Sequence, residues 1–130
     1  MTELKLETEK MQARIEDGIG WMIFNNPVRH NALSLEMWQG IGDILKHFSE
    51  NQDVRVVVMR GAGGKAFVSG ADISEFDQKR ANAEQRRTYG ELAGRASRWL
   101  AKIEKPLIGL IEGYCIGGGL ATALAADIRF

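Results

Sequence analysis

Gly117, Gly118 and Gly119 stand in a row within GYCIGGGLATAL (113–124), between an apolar run and a stretch of small helix formers. Glycine loses more conformational entropy on folding than any other residue, about 0.5–1 kcal/mol relative to alanine inside an element, so three together need a return. Close approach of backbone to a ligand is the usual one. A second glycine-bearing loop, RGAGGKAFVSGADISEF (60–76), follows the β-branched run VRVVVM (54–59), just as the first follows LIGLI (107–111). Both therefore sit where open α/β sheets place ligands, at the carboxyl ends of buried strands. What such loops offer is main-chain N–H. A helix opening at the glycine cluster points its unsatisfied amides and positive end outward, toward an oxygen that gains negative charge. The amide of Gly118, with no Cβ to hinder approach, and the amide of Ala71 in SGAD would together form an oxyanion hole. Removing one such donor typically costs about 10²- to 10³-fold in rate.

Other chemistries fail on spacing. A phosphate-binding P-loop ending at Gly64-Lys65 would need glycine where Met59 stands and Ser or Thr where Ala66 stands. A dinucleotide fingerprint from Gly61 would need glycine at Ala66. A nucleophile elbow around Ser69 would need glycine at Phe67, and neither His30 nor His47 has a triad context. Among side chains, Asp72 reads as a cap for a helix containing Ile73 to Phe76 rather than a proton carrier. Cys115 reads as a small buried hydrophobe, with no basic partner nearby to make it a nucleophile. Glu112 reads as a structural carboxylate at a loop end, His47 as part of a polar helix face, and His30 as structural or solvent-facing.

The elements that must position these loops follow from periodicity. Residues 4 to 15 alternate imperfectly, Asp17-Gly18 is a two-residue hairpin signal, and IGWMIF (19–24) is a second strand. Asn26-Pro27 breaks the pattern. From Ser34, the residues Met37, Trp38, Ile41, Ile44, Leu45 and Phe48 recur at helical spacing, weakened by Gly40 and Gly42. VRVVVM is a strand covered on both faces. The run DQKRANAEQRR (77–87) reads as a solvated, partly mobile face. Tyr89, Leu92, Ala93, Ala96, Trp99, Leu100 and Ile103 make an amphipathic helix ended by Pro106. LIGLI is a third buried strand, LATALAA (120–126) a helix, and DIRF the start of a further strand. Trp21, Trp38 and Trp99 read as core anchors. Strands alternating with helices make an α/β protein with crossover connections, and no linker marks a second domain.

Composition narrows the partners. The 130 residues are 45% hydrophobic and 26% charged, as in an ordinary globular domain. Lys plus Arg and Asp plus Glu both total 17, and this neutral balance argues against nucleic acid as a partner. One cysteine forms no internal disulfide, and no stretch is apolar enough to span a membrane, so a cytoplasmic location is expected.

Three segments, NPVRHNALS (26–34), GAGGKAFVSGADISEF (61–76) and KPLIGLIEGYCIGGGLATALAADIRF (105–130), resemble in order and spacing the N-terminal half of the crotonase superfamily, the enoyl-CoA hydratases and isomerases. The resemblance covers essentially the whole chain, although family members are considerably longer. It implies a spiral of repeated strand, strand, helix turns, with residues 1–130 as the N-terminal part of one acyl-CoA-binding domain. It implies that the amides of Ala71 and Gly118 polarise a thioester carbonyl and hold its enolate. It further implies substrate contacts at Ser69, Ala71, Asp72 and Ile73 for the adenine of coenzyme A, at Arg29 or His30 for a phosphate, and at Gly117. Coenzyme A would enter as part of the substrate, with no separate cofactor or metal. Hydratases of the family place a catalytic carboxylate two residues after the third glycine, where this chain has Ala121. A second family glutamate belongs to a segment past Phe130. Isomerases of the family can carry a small residue at the first position and take their base from later in the chain, so Ala121 shifts weight from hydratase toward isomerase or an unassigned member. The alternative is a non-catalytic acyl-CoA binding or assembly protein, or an inactive fragment. Homo-oligomers, trimers or pairs of trimers, are the family's assembly. Because each turn of such a spiral buries the one before, the last helix and strand are expected to show uncovered apolar surface.

Overall fold

Asp17 and Gly18 both take positive φ, 53° and 81°, the conformation of a tight hairpin whose twist matches its strands. They join β2 (Met11–Glu16) to β3 (Ile19–Phe24) in antiparallel register, with Arg14 opposite Trp21 and Met11 opposite Phe24. The computed structural model describes residues 2–75 and 81–130. A two-residue strand β1 (Thr2–Glu3) adds to β2. The expected strand over residues 4 to 15 is thus displaced: it starts at Met11, while Leu4 and Leu6 pack on the core outside any strand.

From β3 onward every connection crosses over. Strand β3 passes through helix α1 (Leu35–Glu50) to β4 (Val56–Gly61), which lies parallel beside it. Strand β4 then leads through β5 (Ala66–Val68) and α2 (Ala83–Lys102) to β6 (Leu107–Leu110), again parallel. Strand β6 leads through β7 (Tyr114–Cys115) and α3 (Gly118–Leu124) to β8 (Ile128–Arg129). The main sheet has the order β1-β2-β3-β4-β6-β8, and β5 pairs with β7 in a separate two-stranded parallel sheet. Two successive turns of strand, strand, helix are therefore present, β4-β5-α2 and β6-β7-α3, as a ββα spiral requires.

The core lies between the main sheet and helices α1 and α2. Alternate residues of β2 (Met11, Ala13, Ile15) and β3 (Met22, Phe24) face Met37, Ile41, Ile44, Leu45 and Phe48 of α1 and Ala96 and Leu100 of α2. Each large side chain buried there is worth about 1.5–3 kcal/mol, so this layer rather than intrinsic propensity holds α1 together. Of the two glycines that weaken α1 as a sequence, Gly40 answers to packing against buried Met11, whereas Gly42 faces only the flexible end of an arginine. A Cβ on Gly40 would lie 2.8 Å from Met11 Cγ, and one on Gly42 2.7 Å from Arg95 Nη1, the arginine that pairs with Asp43 at 2.9 Å. Ser34 caps the start of α1 by accepting from Met37 N at 3.3 Å. At its end the Lys105 ammonium donates to Phe48 O and Asn51 O at 2.5 and 2.6 Å, a cation placed where the last carbonyls need donors.

Helix α2 begins earlier than its apolar stripe announces. Asn82 accepts from Gln85 N at 2.8 Å and starts the helix at Ala83. Of the run 77–87, residues 77–80 lie outside the described residues, and 81–87 are exposed apart from half-buried Gln85. Of the tryptophans expected to anchor the core, Trp38 and Trp99 pack against it and Trp21 does not. All three are half-buried: Trp21 lies between the guanidiniums of Arg14 and Arg60, at 5.5 and 5.7 Å, and Trp99 lies under Lys102 at 4.1 Å. A large aromatic with cationic neighbours keeps favourable contacts at a surface, which is why size alone misplaces Trp21. Leu120, Leu124, Ile128 and Phe130 are exposed, matching the expected uncovered surface on the last helix and strand.

Candidate active site

Strands β4 and β6 end side by side, and their continuations stay together because β5 pairs with β7. Tyr114 N donates to Lys65 O at 3.2 Å and Ile116 N to Val68 O at 3.1 Å. Glycine makes this proximity possible. At Gly113, with φ +74°, a Cβ would fall 1.9 Å from Lys65 O, and at Gly119 it would fall 2.1 Å from Val68 O. Just beyond the hydrogen-bonded pair Val68 and Ile116, Gly70 and Gly117 face each other: a Cβ on Gly117 would lie 3.8 Å from Gly70 Cα. Both have positive φ, +126° and +55°. Ala71 and Gly118 are the next residues along the two segments.

The amide of Ala71 is freed by its neighbours. Leu33 forms a parallel bridge with Ala71, in which Leu33 N donates to Gly70 O at 2.7 Å and Asp72 N to Leu33 O at 2.9 Å. Successive groups along an extended chain alternate in direction, so the Ala71 N–H faces away from Leu33. No acceptor takes it among the described residues. Gly118 is the first residue of α3, and its N–H has no carbonyl one turn back within that helix. Its neighbours do find partners, Gly119 N at Ile116 O (2.9 Å) and Ala121 N at Gly117 O (3.0 Å). Gly118 differs from its neighbours in steric terms as well. Its φ is not positive, and a Cβ there would meet only Leu33 Cδ1 at 3.4 Å and Trp38 Cζ2 at 3.6 Å. The protein alone does not require glycine at 118.

The other residues singled out by sequence fall into two groups. Arg29 ends a 3₁₀ turn (Pro27–Arg29) and is exposed, and its carbonyl accepts from Ser69 Oγ at 3.2 Å. Ser69 N donates to His30 O at 3.2 Å, so Ser69 ties the 26–31 loop to β5. His30 stacks on Tyr114 with centroids 5.4 Å apart. Asp72 is buried, and its carbonyl accepts from Glu75 N at 3.2 Å to start a 3₁₀ turn, Ile73–Glu75; Phe76 lies outside the described residues. Ile73 is 73% exposed. Ala121 lies on the exposed side of α3. Glu112 is exposed and lies over Gly64, whose Cβ position is 3.6 Å from its carboxylate. Burial pushes the Cys115 thiol up from its ordinary value, which keeps it protonated at neutral pH and supports the reading of an inert side chain.

Two positions carry more than sequence reading assigned them. Asn31, fully buried with φ +58°, accepts from Asn26 N at 2.8 Å and donates to Ala62 O and Ala66 O at 3.0 and 2.9 Å. It fastens the 26–31 loop to both ends of the turn before β5. The signal was an asparagine in a loop, a residue that tolerates left-handed backbone and supplies both donor and acceptor. Glu75 accepts from Leu35 N at 2.7 Å across 40 residues of sequence, a pairing that no local pattern announces.

Among the described residues no cluster of three His, Cys, Asp or Glu is placed to hold a metal, and no helix is long and apolar enough to cross a membrane. Two open clefts of about 420 and 480 Å³ lie against the N-terminal strands, lined by Leu4 and Leu6, away from the glycine loops.

Residues 14–130 match the profile of a family described as enoyl-CoA hydratase/isomerase. A short-chain-enoyl-CoA hydratase of Clostridium acetobutylicum is 34% identical over 114 residues, 88% of this chain and 43% of that protein. A peroxisomal Delta(3,5)-Delta(2,4)-dienoyl-CoA isomerase of Arabidopsis thaliana is 31% identical, over 94% of this chain and 47% of its own. The crystal structure of an enoyl-CoA hydratase/carnithine racemase from Magnetospirillum magneticum superposes with a TM-score of 0.88 at 41% identity, covering 95% of this chain and 46% of that one. The chain thus spans less than half the length of these relatives, and the crotonase fold expected from its motifs is the fold it has.

Proposed function

Because this chain belongs to the enoyl-CoA hydratase/isomerase family, we propose that it binds an acyl-CoA thioester and steadies the enolate of that thioester with the amides of Ala71 and Gly118. The observation that carries this reading is a pair of main-chain donors without acceptors among the described residues, each one residue past a glycine on two segments tied together by β5 and β7. Loss of a proton from the α- or γ-carbon of the acyl group leaves its electron pair delocalised onto the thioester oxygen, and return of a proton to carbon discharges it. Two fixed N–H groups aimed at that oxygen bind the enolate more tightly than the ketone-like ground state, and that difference lowers the barrier.

Coenzyme A is part of the substrate in this reading, and no further cofactor takes part. The adenine lies along the backbone of Ser69, Asp72 and Ile73, the exposed Arg29 guanidinium neutralises a phosphate, and Gly117 lines the approach to the carbonyl. Adding water across a double bond needs a positioned acid or base, a contribution of about 10²- to 10⁴-fold. Ala121 supplies none where hydratases of this family carry a carboxylate, so double-bond migration is favoured over hydration. The same alanine favours a second reading, acyl-CoA binding without turnover. A homo-oligomer, trimeric or a pair of trimers, in the cytoplasm completes the proposal.

The test is infrared spectroscopy of a thioester labelled with ¹³C at the carbonyl. Two donors should lower its stretching frequency on binding, and free coenzyme A should compete. An unshifted carbonyl in the bound state refutes the oxyanion reading. A shifted carbonyl with neither hydration nor isomerisation of an enoyl-CoA establishes the binding protein instead.

A further inference from the structure

The segment that carries Ala71 is extended, exposed at its outer side and outside both sheets, so something must fix the direction of its amide. One end is held by the bridge to Leu33. The other end is held by Glu75, whose carboxylate accepts from Leu35 N at 2.7 Å. Leu35 is the first residue of α1, and its N–H is one of the donors that a helix leaves unpaired. A carboxylate there is also favoured by the helix dipole. The two attachments are consecutive on the same element, Leu33 just before the cap residue Ser34 and Leu35 just after it, while the attached residues 70, 72 and 75 enclose Ala71. Between them Glu75 N donates to Asp72 O at 3.2 Å, making a closed turn of the intervening residues. Helix α1 in turn is anchored in the core by Met37, Ile41 and Phe48, which are fully buried.

We propose that Glu75 is a positioning residue for the Ala71 donor: its carboxylate clamps the 71–75 segment to the start of α1 and thereby sets the direction of the amide that meets the thioester oxygen. This rests on the oxyanion reading above and adds a side chain that touches neither substrate nor reacting atoms. The clamp and the ordinary Ser34 cap serve the same helix end through different atoms. Ser34 Oγ accepts from Met37 N, a bond within the helix end itself, which makes Ser34→Ala the matched control for helix stability.

The experiment compares Glu75→Ala, Glu75→Gln and Ser34→Ala with the unaltered protein, using two readouts. The first is the carbonyl stretch of a bound ¹³C-labelled enoyl-CoA; the second is amide exchange of Asp72, whose N–H is held by Leu33 O. Glu75→Ala should lose at least half of the carbonyl shift and exchange Asp72 at least tenfold faster. Glu75→Gln, which keeps an acceptor oxygen, should restore most of both. Ser34→Ala should lower the melting temperature while leaving the carbonyl shift intact. Equal effects of Glu75→Ala and Ser34→Ala on the carbonyl, or unchanged Asp72 exchange in Glu75→Ala, overturn the proposal. If the unaltered protein itself shows no carbonyl shift, the oxyanion reading falls. Exchange at Asp72 then decides by itself whether Glu75 holds the segment.

Discussion

Alanine at position 119 should damage this protein badly, whereas alanine one residue earlier should leave it standing. At 119 the new Cβ would lie 2.1 Å from Val68 O and 2.8 Å from Val68 C, atoms of the β5 backbone. Restoring an ordinary C···O separation means moving α3 off β5 by about 1 Å. That breaks the hydrogen bond from Ile116 N to Val68 O, 3.1 Å in the native protein. A lost backbone bond costs about 1 kcal/mol net, and overpacking of this kind costs about 1–3 kcal/mol more. The sum is about 2–4 kcal/mol, a fall of about 8–16 °C in Tm for a chain of this size. At 118 the nearest atom to a Cβ is Leu33 Cδ1, the end of a side chain, at 3.4 Å. Replacing a helical glycine returns up to about 1 kcal/mol of propensity, so Tm should stay within about 4 °C of the native value or rise. Urea and thermal unfolding followed by tryptophan fluorescence measure both variants. In the folded Gly118→Ala protein, thioester binding should weaken by at least about fivefold, because a methyl group beside the donor crowds the approaching oxygen by about 1 kcal/mol or more. Equal destabilisation by the two substitutions would refute the claim that the three glycines serve separate purposes. So would undiminished thioester binding in Gly118→Ala.

Two further predictions concern side chains around the loops. Asn31→Ala strands Asn26 N–H, Ala62 O and Ala66 O and puts a Cβ-bearing residue without local hydrogen bonds at φ +58°, so a loss of about 2–4 kcal/mol is expected from the urea midpoint; Asn31→Gly should be about 1 kcal/mol less harmful because it relieves the backbone, and a loss below about 1 kcal/mol in Asn31→Ala would contradict the assignment. Burial holds the Cys115 thiol above its ordinary 9.0, and since only the thiolate reacts, iodoacetamide should label it more slowly than free cysteine at pH 8, with the rate still climbing past pH 9. The folded state favours the neutral thiol, so this group's contribution to stability is intact below pH 9 and is lost as pH rises beyond it. A labelling rate that levels off below pH 9 contradicts this.

Much of the architecture is written in local patterns. The hairpin at Asp17-Gly18, the stripe Met37 to Phe48, the strands around Val57 and Leu107 and the glycine cluster all express themselves within a few residues, and each stands where the pattern puts it. Strands β5 and β7 do not. They are three and two residues long, too short to alternate visibly, and exist because Ala66–Val68 meets Tyr114–Cys115 across more than forty positions. Sequence separation also hides Glu75, whose partner Leu35 N lies 40 residues away, and Asp127, whose carboxylate accepts at 2.8 Å from Leu107 N, 20 residues away. The proposed donors at Ala71 and Gly118 were open to nomination from sequence because main-chain chemistry leaves glycine as its trace beside them. The residues that hold those donors in place were not, since an asparagine or glutamate fastened to distant backbone looks from sequence like any loop polar residue. Tryptophan misled for the opposite reason: Trp21 satisfies its large ring with two arginines at the surface.

The carbonyls of Lys65 and Val68 are the pivots through which both loops are joined, bonded to Tyr114 and Ile116 and pressed against Gly113 and Gly119. Neither loop can drift without carrying the other, so the spacing of the two donors is insulated from change elsewhere in the molecule. The rim is under no such restraint: Ile73, Ile116 and Leu120 project outward with room around them. On the oxyanion reading, substitutions at those three rim positions should change which acyl group fits while leaving the two donors where they stand.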